Sequence, residues 1–150
     1  MKKRILSLAL SAAMALTMLP TGAFAASDKG KPPVYNKATG CYEISTPDQL
    51  LYLSGSWRDG APRDGHYVLT ADIDMTGVKG FKPIASKKDQ GFTGTFDGQF
   101  HAIKGLRVEY EKKYAGLFGY VGNQDDQAYI KDVAMLDCYV TGQQNFGALA

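Results

Sequence analysis

Side chains that do chemistry are scarce in this chain. It has two cysteines (Cys41, Cys138), two histidines (His66, His101) and one tryptophan in 150 residues. There is no Cys-x-x-Cys pair and no Cys/His cluster with metal-ligand spacing, so a structural zinc site is not expected. His-Glu-x-x-His is absent, and no serine sits in a Gly-x-Ser-x-Gly elbow, which removes the familiar zinc-peptidase and serine-hydrolase readings. No glycine-rich loop with a following Lys-Ser/Thr is present to cradle phosphates. After residue 25 no stretch is apolar enough to span a bilayer. The two cysteines lie far apart in sequence, and a bridge needs Cα atoms within ~7 Å. They are expected as two small half-buried side chains rather than a disulfide.

What is present begins with an export pattern. Lys2, Lys3 and Arg4 give a positive start, and an apolar stretch runs from Ile5 to Leu19. Pro20 and Gly22 end it, and Ala23-Phe24-Ala25 supplies the small-x-small pattern of a signal-peptidase site. Cleavage is expected between Ala25 and Ala26. The alternative, an uncleaved anchor, needs ~20 apolar residues, more than this stretch holds. Removing three positive charges from a formal net charge of +2 leaves −1. A near-neutral mature chain has no strong basic field, so bulk attraction to nucleic acid is not expected.

Residues 1–25 are thus read as a signal peptide and 26–40 as a linker rich in Lys, Pro and Gly. Packing begins at Cys41-Tyr42-Glu43-Ile44. Thr46 is a candidate N-cap, Pro47 suits the first helical position and Gln49 completes a capping box. The helix through Leu53 is about two turns, too short to stand alone, so it is expected to cover the open end of a core.

From Tyr67 the pattern changes to period two. Tyr67, Leu69, Ala71, Ile73 and Met75 share one face, with Val68, Thr70, Asp72 and Asp74 on the other. Short apolar runs follow, punctuated by glycine: Phe81–Ile84, Phe92–Phe96, Ala102–Val108, Gly116–Val121 and Ile130–Leu136. Two pairs of segments look like repeats. Tyr114 to Gly119 matches Phe146 to Ala150, and Ile103 to Val108 matches Ile130 to Met135. The offsets are 32 residues (Tyr114 to Phe146) and 27 residues (Ile103 to Ile130). Constant core positions with variable loops are the mark of a solenoid. Gly116, Leu117, Phe118, Gly119, Phe146, Gly147 and Leu149 are its expected repeat core.

Several segments together resemble bacterial secreted and surface proteins with GLUG-type repeats. Tyr67 to Met75 is similar to their "LTADIDL" strand, and Phe81-Lys82-Pro83-Ile84 to their "W-x-P-I" segment. Phe92 to Leu106 is similar to "FxGTFDGxGHTIKGL", and Tyr114 to Tyr120 to the GLUG unit itself. The sequence departs at Phe81, where Trp is usual, and at Phe100, where Gly is usual. The resemblance covers about residues 42–150. It implies an all-β fold, a right-handed parallel β-helix with a short N-terminal capping helix, and brings no catalytic residues with it. Residues 41–150 are read as the cap and first coils of such a helix. Because the sequence stops inside a repeat and a bare coil exposes apolar side chains and strand edges, the helix is expected to be incomplete at its C-terminus.

Candidate ligands are few. Asp72 and Asp74 share the outward face of one strand, ~7 Å apart by strand geometry, and Asp97 sits in a turn near them. Three carboxylates suit Ca²⁺, but solvation and turn formation with Gly98 explain them more simply. Asp125 and Asp126 read as solvated loop acids. His101 is expected to support a turn. Arg107 projects outward, with nothing to place it beside the aspartates. Tyrosines are numerous, and Tyr35, Tyr42, Tyr52, Tyr110, Tyr114, Tyr120, Tyr129 and Tyr139 suit core and corner packing, or stacking on sugars. The expected function is a non-catalytic extracellular scaffold or adhesion module, secreted or on a bacterial surface, that needs no cofactor and meets a host or matrix protein or a glycan. The alternative is the N-terminal part of a β-helix polysaccharide-degrading enzyme, or of a large secreted peptidase, whose active site lies downstream.

Overall fold

The structure is a computed structural model that describes residues 30–55, 57 and 60–150. The expected signal peptide, its Ala25/Ala26 cleavage site and the first linker residues lie outside the described residues. What is described is mainly β, with ten strands and one short α-helix.

The chain opens with β1 (Val34–Asn36), which pairs antiparallel with β2 (Cys41–Ile44). Part of the stretch read as a linker is therefore a strand. The Asn36 side chain fixes the hairpin by accepting from the Ala38 N–H and donating to Glu43. Such a two-strand edge needs no apolar period of its own, which is why the sequence pattern misses it. Next comes α1 (Pro47–Tyr52), and its capping box is formed as expected. The Thr46 side chain accepts from the Gln49 N–H, and the Gln49 side chain accepts from the Thr46 N–H. Leu50, Leu51 and Leu53 are buried beneath it.

The remaining strands are β3 (His66–Leu69), β4 (Ile73–Asp74), β5 (Thr95–Asp97), β6 (Ala102–Lys104), β7 (Arg107–Tyr110), β8 (Tyr129–Lys131), β9 (Ala134–Leu136) and β10 (Tyr139–Gly142). They form three ladders. One runs β1-β2-β3-β5-β8, one β4-β6-β9 and one β7-β10. Every pairing except β1 with β2 is parallel. The chain meets the ladders in the same order on each pass, so successive strands in one ladder are joined by long connections through the others. Inward residues stack in register. Tyr42 pairs with Tyr67, Tyr67 with Phe96 and Phe96 with Ile130. Ile73 pairs with Ile103, Ile103 with Met135, and Val108 with Val140.

The period-two face starting at Tyr67 is observed, with Tyr67, Leu69, Ile73 and Met75 buried. It is split between β3 and β4, which belong to different ladders. Likewise Ala102–Val108 divides into β6 and β7, and Ile130–Leu136 into β8 and β9. The divisions fall at Gly105 (φ 65°) and Asp132 (φ 53°), whose left-handed backbone turns the chain through a corner. This corrects the second repeat pairing. Ile103 stacks on Met135 and Ile130 on Phe96, so the segments starting at Ile103 and Ile130 lie on successive faces. They look alike because each is strand, left-handed corner, strand. Phe81–Ile84 and Gly116–Val121 make single bridges, Ile84 with Phe118 and Phe92 with Val121, rather than strands. β10, with little apolar content, follows from its pairing with β7 rather than from pattern.

The core is one aromatic and aliphatic column. Tyr42 stacks on Tyr67 with ring centroids 5.2 Å apart, Phe92 lies 5.2 Å from Phe118, and Phe118 meets Phe96 edge-on at 5.4 Å. Burial at ~25 cal/mol per Å² of apolar surface is the main force holding such a column. The Tyr67 hydroxyl donates to the Pro62 carbonyl at 2.7 Å, and burial pushes its phenol well above the ordinary value. Phe81 is fully buried. Cover thins along the stack: Tyr67 and Phe96 are buried, Ile130, Met135 and Val140 only half-buried.

Candidate functional site

The outward faces carry the candidate side chains. Asp72 lies at the corner between β3 and β4. Its carboxylate accepts from the Ala102 N–H at 2.9 Å, and the His101 Nδ1 lies 3.2 Å away. Both contacts, the backbone bond first, hold its carboxyl below the ordinary value. Asp72 therefore ties one pass of the chain to the next, and His101 supports that tie. His66, at the start of β3, is exposed.

Asp74 is used locally, and Asp97 both locally and across to the neighbouring strand. Asp74 accepts from the Thr76 N–H at 2.9 Å, and the Thr76 side chain and N–H together hold its carboxyl low. Asp97 accepts from the Gln99 N–H at 2.9 Å and from the Lys131 ammonium at 2.8 Å. Asp72, Asp74 and Asp97 therefore each have their own partners. Among the described residues no group of three His, Cys, Asp or Glu side chains lies close enough to hold a metal ion. Asp125 and Asp126 sit in an exposed turn built on Asn123, whose side-chain oxygen accepts from both of their N–H groups.

Arg107 projects outward as expected. It donates to Glu109 on its own strand and stands 4.4 Å over the ring of Tyr139, its register partner on β10. It belongs to the β7-β10 ladder, whereas Asp74 and Asp97 lie on the other two. Tyr42 and Tyr67 are in the core column; Tyr114 and Tyr120 pair at 4.8 Å; Tyr35, Tyr129 and Tyr139 are exposed. Both thiols are free, and burial pushes that of Cys138 up.

The two segments read as repeats lie side by side, one residue out of the alignment read from sequence, with Ala115 rather than Tyr114 opposite Phe146. Ala115 bridges Phe146, the Gly147 N–H donates to Ala115, and the Leu117 and Phe118 N–H groups donate to Ala148 and Leu149. Gly116 is small for a reason: a Cβ there would stand 2.7 Å from the Gly147 oxygen. Leu117 and Phe118 are buried, whereas Phe146 and Leu149 are exposed.

One feature was not legible in the sequence. Ser54, Gly55, Lys82, Ser86, Lys87, Tyr110, Glu111 and Lys112 line an open cleft of about 530 Å³. Its residues come from three separated stretches that only the stacking brings together. No local pattern marks them, since isolated lysines in loops read as solvated surface.

Among known proteins, no family profile matches the chain, and no solved structure matches it. The chain is similar to Halomucin of Haloquadratum walsbyi (strain DSM 16790 / HBSQ001). Identity is 32% over 119 residues, which takes in 73% of this chain and 1% of that protein. The chain thus spans about a hundredth of the length of its relative. The similarity is compatible with a surface or secreted module. Among the described residues no helix is long and apolar enough to cross a membrane.

Proposed function

We propose that the chain forms coils of a right-handed parallel β-helix of the GLUG-repeat kind, serving as a non-catalytic scaffold or adhesion module of a secreted or surface protein. One observation carries this reading. Inward residues stack in register over successive passes, as in Tyr67–Phe96–Ile130 and Ile73–Ile103–Met135, along three parallel ladders. A right hand is the expected sense, because ~98% of crossovers between parallel strands of one sheet take it. Each pass adds one more row of outward side chains, so the architecture builds an extended, rigid surface. The outward carboxylates are engaged in tying passes together (Asp72, Asp97) or in shaping a turn (Asp74), which suits a scaffold. The relative's name is that of a mucin, which agrees with an extracellular setting.

On this reading the module needs no cofactor and meets a host or matrix protein or a glycan rather than nucleic acid. On the same reading the α1 helix, with Leu50 and Leu51 buried, is the cap of its N-terminal end. The test is expression of the full chain in a bacterial host, with fractionation and N-terminal sequencing. The expected product is exported, begins at Ala26 and releases neither new reducing ends from polysaccharides nor peptides from protein substrates. A cytoplasmic product that keeps Met1 would overturn the extracellular reading. Depolymerisation of a polysaccharide or proteolysis would overturn the non-catalytic one.

A further inference from the structure

We propose that the cleft between Ser54, Lys82, Lys87 and Lys112 binds an anionic glycan, through its sulfate or carboxylate groups. This deepens the extracellular reading above and rests on it.

The floor of the cleft is fixed by backbone. The Ser54 hydroxyl accepts from the Lys82 N–H at 2.7 Å, and the Gly55 N–H donates to the Pro83 carbonyl. The Gly55 carbonyl in turn accepts from both the N–H and the hydroxyl of Ser86, each at 3.2 Å. Ser54 bridges Ile84, and Ile84 bridges Phe118 on the next pass, so the walls are tied into the stacked core. The stretch bearing Lys82 and Lys87 is thus held from beneath, and Lys82, Lys87 and Lys112 are all exposed.

The charge balance in the cleft is one-sided. Lys82, Lys87 and Lys112 line it, against Glu111 as the one acid of the lining. Among the described residues the ion pairs involve His101, Arg107 and Lys131, and none of the three cleft lysines. Lys79, Lys88 and Lys113 flank the same loops, with Asp89 opposing them. Such a cluster is a local feature of a near-neutral chain, and screening over ~8 Å confines its effect to a ligand seated in the cleft.

The donor types select the ligand. Lysine is a flexible, strongly hydrated point charge, suited to anions that keep much of their water. Planar two-point recognition is the work of arginine, and no arginine lines this cleft. The lining also offers hydroxyls, from Ser54, Ser86 and Tyr110, to a ligand rich in hydroxyls of its own. Tyr120 bonds through its N–H to Ala85, next to Ser86, and its ring packs with Tyr114 at the margin. The volume is within the ~300–1,000 Å³ of ordinary ligand sites. Lys82 and Lys87 come from one stretch and Lys112 from another, so positive charge is supplied from two separate stretches of the lining.

The test measures binding of the full chain by calorimetry to three probes: a heparin oligosaccharide, an oligogalacturonate and a neutral dextran oligosaccharide. We expect one or both anionic probes to bind, more weakly at raised salt, and dextran not to bind. Binding to heparin alone identifies sulfate as the group recognised, and binding to oligogalacturonate alone identifies carboxylate. The double variant Lys82→Gln/Lys112→Gln, checked for folding by circular dichroism, is expected to lose about tenfold in affinity. Lys37→Gln, on the turn between β1 and β2, is expected to change nothing. The proposal is overturned if neither anionic probe binds, if the double variant binds as tightly as the parent, or if Lys37→Gln weakens binding equally. An exported, non-catalytic chain that ignores both anionic probes would lose only this cleft, leaving the scaffold reading intact.

Discussion

Asp97 and Lys131 are register partners on neighbouring parallel strands, and the Lys131 ammonium stands 2.8 Å from the Asp97 carboxylate. The pair sits on the outward face, directly beside the inward-facing Phe96–Ile130 pairing. The lysine is the chief reason the Asp97 carboxyl is held below its ordinary value, with the Gln99 N–H second. Lys131→Met is therefore expected to raise the Asp97 titration midpoint, yet leave it below that of a free aspartate because the Gln99 bond survives. Carboxyl chemical shifts followed against pH read this directly. An unchanged midpoint would mean that the pair does not form in solution.

Acid should weaken the fold through three aspartates together. Asp72, Asp74 and Asp97 are all held low, chiefly by the Ala102 N–H, by Thr76 and by Lys131 respectively. A lowered folded value means that the folded chain binds protons less readily than the unfolded one. The stability this adds is fully present above the unfolded value of ~3.9 and is lost as pH falls through the folded values. Urea midpoints are expected to hold level from neutral pH down to about 5 and then fall. In the Asp72→Asn/Asp74→Asn/Asp97→Asn variant that acid decline should be shallower. A decline of equal steepness would assign acid sensitivity elsewhere.

How far the sequence could be read follows from what each signal encodes. The capping box at Thr46 and Gln49 is local chemistry, and it is observed bond for bond. The alternation from Tyr67 to Met75 is also local, and its buried face is observed. What alternation cannot show is a corner that keeps the alternation going. The chain passes from β3 to β4 through Thr70-Ala71-Asp72 without changing which residues face inward, so one apparent strand spans two ladders. Stacking partners are non-local, which is why Ile103 matched Ile130 by pattern while lying against Met135. Asp72 reads as an outward acid and Asp97 as a turn residue, but their partners Ala102 and Lys131 come from the next pass. The lysine cleft is further still from any local signal, since its walls share no motif.

Calcium is expected to leave stability unchanged. Asp72, Asp74 and Asp97 already accept hydrogen bonds from Ala102, Thr76, Gln99 and Lys131. A Ca²⁺ ion wants six to eight oxygens and would have to displace those donors. Melting curves with added calcium and with a chelator should superimpose. A rise in melting temperature with calcium, abolished in Asp72→Asn, would instead establish a site at that corner.

Phe96 is the most interlocked side chain of the column. It is fully buried, pairs with Tyr67 on one side and Ile130 on the other, and meets Phe118 edge-on. Its register neighbours Tyr67 and Ile130 are held in the same ladder on either side, so the space left by truncation has little freedom to collapse. Phe96→Ala should cost about 3–5 kcal/mol, within the range for buried Phe truncations. Denaturant unfolding of purified variant and parent measures it. A loss below about 1 kcal/mol would mean that the column is far looser than the stacking requires.

Phe100 is the reverse case, a residue the fold tolerates rather than uses. Its φ is 63°, in the left-handed region. The preceding Gln99 is left-handed as well, at 46°. The Phe100 ring is 86% exposed, so packing offsets little of the backbone strain. A left-handed residue with a Cβ costs roughly 1–2 kcal/mol, whereas glycine adopts the conformation freely. Glycine also loses more chain entropy on folding, by about 0.5–1 kcal/mol, which offsets part of that gain. The turn itself is held by the Phe100 N–H donating to Asp132 and the His101 N–H donating to Gly98, and neither bond needs the ring. Phe100→Gly is therefore expected to raise stability by up to about 1 kcal/mol. Phe100→Ala, which keeps the Cβ and drops the ring, should give no such gain. Equilibrium unfolding of both variants decides the matter. A gain in both would place the strain in the exposed ring, and a loss in Phe100→Gly would show that the ring makes a stabilising contact in solution.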